Sequence, residues 1–301
     1  MNEELFTGFL AGLFPAGGPL HTGIGDDCAV LDLCKEGDKL FLYAVDQVIE
    51  NRHYLPETPP ELVAGKLLKR NISDIAAMGG TPLFALVTIA ANPLAEAFLL
   101  PFYKGLKEEA EKYHIQIAGG DTARLPYPPP LSGSKNSCVA TLSIFGEVKR
   151  DKLCLRSNGK EGDLLYATGT FGNSFASSHH LSFTPRLEEA AFLAGTYTNS
   201  MMDISDGLEK DSQRLAEASH LSLTLFPDKI PLREGATQET ALHEGEDYEL
   251  IFTVSPEKEA LLLEKWPFMT RLSRIGKLIG KEHSISSPSS NSKGGFDHFH
   301  E

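Results

Sequence analysis

Aspartates recur along this chain beside glycines and at the ends of apolar runs. Gly25-Asp26-Asp27 follows Thr22-Gly23-Ile24, Asp46 closes the apolar run 40–45, and Asp121 follows Ile115-Gln116-Ile117-Ala118-Gly119-Gly120. Asp203 and Asp206 lie in Met201-Met202-Asp203-Ile204-Ser205-Asp206-Gly207, which reads as the end of a strand and the start of a helix. Strand ends in such folds face ligand crevices, and glycine lets backbone approach a ligand closely. Each Asp alone could equally form a turn or a cap. Together they make a site only if the fold gathers them. Asp74 differs, because it belongs to a predicted helix over 60–78 whose core stripe is Leu68, Ile72, Ile75 and Gly79. Asn71 and Asp74, three residues apart, share the edge of that stripe. A partly desolvated carboxylate there needs a metal, Asn71 or a backbone N–H as partner.

All these donors are oxygens, with no His or Cys beside them, which suits a hard cation. Mg²⁺ keeps several waters and bridges carboxylates to substrate phosphates. The spacing does not fit a calcium-binding helix–loop–helix motif, and neither the Walker A loop nor the protein-kinase motif set is present. A phosphotransferase built on these acids therefore belongs to neither common class. The cysteines Cys28, Cys34, Cys138 and Cys154 form no C-x-x-C pair, so reduced thiols are expected rather than a zinc site or a disulfide framework.

The acids need a scaffold. With 301 residues, 41% of them apolar, the chain can fill sizeable cores, and its length suggests two domains. Strand-like runs at 40–45, 83–90, 115–118, 139–148, 164–168, 221–226, 250–254 and 272–279 alternate with helical stretches near 60–78, 95–113, 186–197, 207–219 and 256–266. The mixture predicts an α/β or α+β chain. An amphipathic helix is expected from Leu5, Phe6, Phe9, Leu10, Leu13 and Phe14, ending at Gly17-Gly18. Residues 126–137 read as an exposed Pro-rich loop, and 284–295 as a Ser/Gly-rich tail. The charged, Gly-bearing stretch 149–163 puts the domain boundary at 150/151, giving units 1–150 and 151–301. Net charge is −13, which repels phosphate backbones and argues against a nucleic-acid partner. Glu3 and Glu4 precede the first apolar stretch without Lys or Arg, and no apolar run reaches about 18 residues, so neither a leader nor a membrane span is expected. A cytoplasmic protein follows as the expectation.

Seven segments carry a resemblance. They are Gly23-Ile24-Gly25-Asp26-Asp27-Cys28-Ala29; Val45-Asp46 with Asn51-Arg52-His53; Asn71-Ile72-Ser73-Asp74-Ile75-Ala76-Ala77-Met78-Gly79; Gly119-Gly120-Asp121-Thr122; Asp203-Ile204-Ser205-Asp206-Gly207-Leu208; Gly245-Glu246-Asp247-Tyr248-Glu249-Leu250; and Gly295-Phe296-Asp297-His298-Phe299. In this order, over residues 23–299, the chain resembles the thiamine-monophosphate kinase family of the AIR-synthetase-like (PurM-like) superfamily. The resemblance implies a two-domain PurM-like fold in which the N-terminal domain forms a dimeric β-barrel with its twin, beside a C-terminal α/β domain. It implies a homodimer and an enzyme that moves the γ-phosphoryl group of ATP onto thiamine monophosphate, with several Mg²⁺ ions. Carried over by motif, the metal set is Asp27, Asp46, Asp74, Asp121, Asp203 and Asp206, with the backbone of Ala44 and Val45. ATP contacts are Asp27, Tyr103, Gly120, Asp121, Arg156 and Ser205. Substrate contacts are His53, Glu246 and Phe296.

The implied acceptor is a phosphate oxygen, already anionic near neutral pH, so no general base is expected. Charge neutralisation and in-line positioning dominate. Glu246 would bond the aminopyrimidine and Phe296 would stack on a ring, or else anchor the tail. Thr168-Gly169-Thr170-Phe171-Gly172-Asn173 could cradle an anion or be structural only. The chain departs from the family at Ala44-Val45, where Ser/Thr is usual, in the Pro-rich insertion, at His243-Glu244, and at Phe296 in place of Tyr. Two other readings stay open: another ATP-using enzyme of the same superfamily, and a non-catalytic nucleotide- or Mg-binding protein.

Overall fold

Strict alternation of buried and open side chains makes Lys39–Ile49 (β3) and Val139–Lys149 (β6) long strands, and they pair antiparallel along their whole length. The computed structural model of the chain describes residues 3–35, 37–92, 96–126 and 138–281. Its first half also contains α1 (Glu3–Leu13), β1 (Leu20–Thr22), β2 (Ala29–Leu31), α2 (Pro60–Ala77), β4 (Thr81–Ala91), α3 (Glu96–Lys112) and β5 (Gln116–Arg124). The six strands run in the order β1-β2-β3-β6-β4-β5, and β5 joins β4 in parallel. One face of this sheet is filled. Leu42, Val48, Leu142, Ile144, Val87 and Ile89 pack there with Leu67, Leu68 and Ile72 of α2 and Phe98 and Phe102 of α3. The opposite face carries Phe41, Tyr43, Phe84 and Phe145, with the Phe145 ring stacked on both Phe41 and Phe84.

The second half contains β7 (Leu164–Thr168), α4 (His179–Ser182), α5 (Leu187–Leu193), β8 (Met201–Asp203), α6 (Leu208–Ala218), β9 (Ser222–Leu225), α7 (Gln238–His243), β10 (Leu250–Val254), α8 (Pro256–Lys265) and β11 (Leu272–Ile279). Its strands form an antiparallel sheet ordered β8-β10-β7-β11-β9. All residues of β7 and β10 are buried, which explains their unbroken apolar sequences. One core, with Tyr166, Leu193 and Phe252, fills one side; another, with Leu165, Leu215 and Ile251, fills the other.

α2 ties the halves together. Pro60 opens it where a missing N–H costs nothing, and Glu61 favours the positive end of the helix dipole. Its middle packs on the first sheet, while Ala76 and Ala77 at its end enter the second core.

The sequence-predicted elements are present with some adjustments. β3 runs to Ile49 and β5 to Arg124, so Asp46 and Asp121 stand inside strands rather than at strand ends. α5 ends at Leu193, short of the expected 197. α1 forms as expected, but Leu5, Phe9 and Leu13 on it are exposed. The loop segment 127–137, the tail 282–301 and with it Phe296 lie outside the described residues.

Candidate functional site

A cavity of about 1000 Å³ opens between the two sheets. The 23–29 segment, the middle of β3, the Ser205–Asp206 turn and the Gly245–Tyr248 segment all contribute to its wall. Ala44, Val45, Asp27, Asp46, Asp206, Arg156, Ser205, His53 and Glu246 all line it, as the sequence reading requires.

Around Asp27 in its wall, oxygens of Asp27, Asp74 and Asp203 lie within 4.8 Å of one another. Three distant segments deliver them: the loop before β2, the body of α2 and the end of β8. Ser73 Oγ donates to Asp203 Oδ2 at 2.6 Å, tying α2 to β8. Asn71 is not the partner of Asp74, because its amide donates to Leu67 O at 2.9 Å. Burial, reinforced by the neighbouring carboxylates, pushes Asp74 and Asp203 well above the ordinary carboxylate range. Burial and Asp27 likewise raise Asp26 to about 7. Carboxylates crowded without enough countercharge are the electrostatic complement of a bound cation, and an all-oxygen set fits Mg²⁺ in donor chemistry.

Three acids of the cavity wall already have basic partners. Arg70 grips Asp46 with Nε at 2.9 Å and Nη2 at 3.2 Å, and donates Nη1 to Gln47 O. Arg156 pairs with Asp27 through Nη2 at 2.5 Å. Arg214 and Lys210 reach Asp206 at 2.7 and 3.1 Å. The Asp203–Gly207 turn is held from behind by Asp211, whose Oδ2 accepts from the N–H groups of Ser205 and Asp206.

The other end of the cavity is built on Lys66, which has no exposed side-chain surface. Its ammonium donates to the carbonyl of His53 at 2.6 Å and forms a short ion pair with Glu246. Gly245 precedes Glu246 because a Cβ there would lie 2.2 Å from Ser205 O. His53 Nδ1 accepts from the N–H of Ile49, which fixes the ring. Phe175, 45% exposed, stacks on buried His180 with centroids 4.1 Å apart and an 8° interplanar angle. It presents an aromatic face to the cavity.

Three expected residues do not join this constellation. Asp121 pairs with Thr88, on the sheet face shared with Phe84 and Phe145, whereas Asp46 points to the α2 side. The register Asp46–Leu142–Val87–Gly120 puts β5 three strand spacings from β3, roughly 14 Å. Gly120 lies against Val87, and Tyr103 is an exposed residue of α3 touching Phe102. Asp121 faces the open side of the first sheet, Gly120 is its neighbour on β5, and Tyr103 lies on α3, which covers the other side; none of the three is among the residues lining the cavity in a single chain. Sequence reasoning missed Lys66, Arg70, Asp211, Phe175 and Tyr248. Lys66 and Arg70, two of the three cations of α2 and both beside its core stripe, were a readable signal, since buried cations need anionic partners. Asp211, an acid in the first turn of α6, was another. Phe175 had none.

Residues 25–148 match the family described as AIR synthase related protein, N-terminal domain, and residues 160–287 match its C-terminal domain. The chain is 35% identical to the thiamine-monophosphate kinase of Rhodopirellula baltica, over 93% of this chain and 90% of that protein. It is 31% identical to that of Bacillus subtilis, over 88% and 87%. Among solved structures, AaThiL complexed with AMPPCP and TMP is 26% identical and superposes with a TM-score of 0.81, covering 99% of this chain and 97% of that one. Escherichia coli HypE, a hydrogenase maturation protein, is 16% identical with a TM-score of 0.67 over 92% of each chain, a likeness of fold alone.

Proposed function

The chain belongs to the thiamine-monophosphate kinase family, of two-domain PurM-like fold, and from that premise we propose that it transfers the γ-phosphoryl group of ATP to thiamine monophosphate, giving thiamine diphosphate and ADP. The observation that carries this reading is the joining of two unlike ends in one cavity. An acid trio suited to a cation reaches the wall through Asp27 at one, and a carboxylate fixed by a buried lysine beside an open aromatic ring lies at the other.

In this reading Asp27, Asp74 and Asp203 hold Mg²⁺, with Asp46, Asp206 and the backbone of Ala44 and Val45 at its margin. Bound there, the metal neutralises the charge of the two phosphates that must meet. Arg156 adds a fixed cation that ATP phosphates can share with Asp27. Ser205 lies in the turn pinned by Asp211, so its hydroxyl meets the nucleotide without the turn reorganising. Glu246 accepts from the aminopyrimidine while Lys66 holds its carboxylate in place. His53 approaches the acceptor, and Phe175 stacks on a flat ring of the substrate, joined by Phe296. No group in this set acts as a general base, because the acceptor oxygen is already anionic.

Asp121, Gly120 and Tyr103 enter through a homodimer. The uncovered aromatic face of the first sheet supports pairing with a twin, which closes a barrel and carries β5 of one subunit to the cavity of the other. The division into 1–150 and 151–301, a cytoplasmic location and the absence of a nucleic-acid partner belong to the same proposal. Among the described residues no helix is long and apolar enough to cross a membrane.

The test is product analysis with ATP, Mg²⁺ and thiamine monophosphate. Thiamine diphosphate is the expected product, and its absence at saturating substrate defeats the assignment. Mg²⁺ added with ATP should also raise Tm, since the ion binds the folded site in preference.

A further inference from the structure

We propose that the hydroxyl of Tyr248 donates a hydrogen bond to the acceptor's phosphate, and so seats the acceptor between the two ends of the cavity; this rests on the phosphotransfer reading above. Tyr248 is 2% exposed, yet forms part of the cavity wall. Its Oη is buried and, among the described residues, has no hydrogen-bond partner. A buried hydroxyl left unpaired is costly, so such a group calls for a ligand or a water.

The ring is held firmly in this position. It stacks on Phe183 with centroids 4.1 Å apart, and Lys69 Nζ sits 4.7 Å from the Phe183 centroid. The Tyr248 N–H donates to Ile204 O at 2.8 Å. The backbone is left-handed at both Glu246 (φ 65°) and Tyr248 (φ 50°), a conformation that ordinary side chains avoid. Between them Asp247 is clamped by Arg233, by Ser174 Oγ and by the N–H of Gly172. The surroundings therefore impose the strain. Strain and an unpaired hydroxyl on one residue mark a position kept for a partner outside the fold.

Arg70, Glu246, Asp46 and Asp203 are the charged groups that act most strongly on the phenol. Asp46 and Asp203 belong to the acid end, Glu246 to the opposite end, and Arg70 lies between. A phosphate arriving there meets a guanidinium and a phenol as donors, with carboxylates on either side. Burial pushes the phenol well above its ordinary range, which keeps it a protonated donor.

Tyr248→Phe separates this role from packing, because it removes only the oxygen. The expected result is a KM for thiamine monophosphate raised about tenfold or more, with the KM for ATP unchanged. Tm should stay level or rise, because the variant loses an unpaired buried group. A KM for thiamine monophosphate within about twofold of wild type would mean that the hydroxyl meets only water, and would overturn the inference. A fall in Tm alongside activity would assign the hydroxyl a structural role and overturn it equally. Wild-type turnover is measured first, so that failure of the functional reading is seen separately. If wild type yields no thiamine diphosphate, both proteins are titrated calorimetrically with inorganic phosphate in Mg²⁺. Weaker binding to the variant supports the seat, and equal binding refutes it.

Discussion

In the five-stranded sheet, β7 and β10 are buried along their whole length and a separate core fills each side. In the six-stranded sheet only the side under α2 and α3 is filled. The other side leaves Tyr43, Val45, Phe84 and Leu86 between 39% and 59% exposed. The second sheet is completed by its own chain, whereas the first has apolar residues on both faces and a cover on one. An antiparallel sheet that faces water should alternate apolar and polar residues, and this one departs from that rule across β3, β6 and β4. The contrast reaches the site. Residues near the second sheet, such as Asp203, Ser205 and Glu246, are in place in one chain, while Asp121, Gly120 and Tyr103 stand on the half-covered unit away from the cavity.

Complementation puts the greatest strain on this contrast. Asp121→Asn and Asp203→Asn should each lower kcat about 100-fold or more if both carboxylates act on the phosphates. If Asp121 serves the partner's cavity, unfolding the two variants together and refolding them as mixed dimers restores activity. Half of the dimers are then mixed and each has one intact site, so about a quarter of the wild-type rate should return. A site made within one chain gives no recovery, and that outcome would remove the need for a second subunit.

Much of this arrangement was legible before any coordinates. Unbroken apolar runs marked β7 and β10, and acids beside glycines or at the ends of apolar runs pointed to the segments that carry Asp27, Asp46, Asp203 and Asp206. Long-range geometry was not legible. Sequence order cannot tell that Asp121 lies on the sheet face opposite to Asp46, because that depends on the β4–β5 register, which carries a bulge between Ala85 and Leu86. Nor could it tell that Asp46 meets Arg70 or that Glu246 meets Lys66, since those pairs join α2 to β3 and to a segment 180 residues away. Phe175 lies in a short loop with no period to read, and only its stack on His180 reveals it.

Core truncation sharpens the comparison at the next scale. Phe252→Ala removes a fully buried ring that stacks on Tyr166, and should cost about 3–5 kcal/mol in urea unfolding. Leu86→Ala on the uncovered face should cost the isolated chain within about 0.5 kcal/mol, because that side chain is already 42% exposed. The same change should weaken self-association in sedimentation experiments. Equal losses of stability from both changes, with unaltered association, would show that the bare face has no cover to lose.

The smallest expected effect tests whether the second unit is sealed by its own chain against protons as well as water. His179 opens α4, with Nε2 3.0 Å from Asp247 O. Burial first, then Arg233, lowers its pKa to about 4 from 6.5. A depressed folded pKa means that the unfolded chain binds the proton more readily between those values. Stability from neutral His179 is therefore complete above about pH 6.5 and drains away as pH falls towards 4. Partial exposure of the ring makes the change modest. His179→Gln keeps a donor for Asp247 O and abolishes the titration, so its Tm should decline less than wild type over that window. Parallel Tm profiles for the two proteins would mean that water reaches the imidazole freely, and the second unit would then be less closed than its buried strands imply.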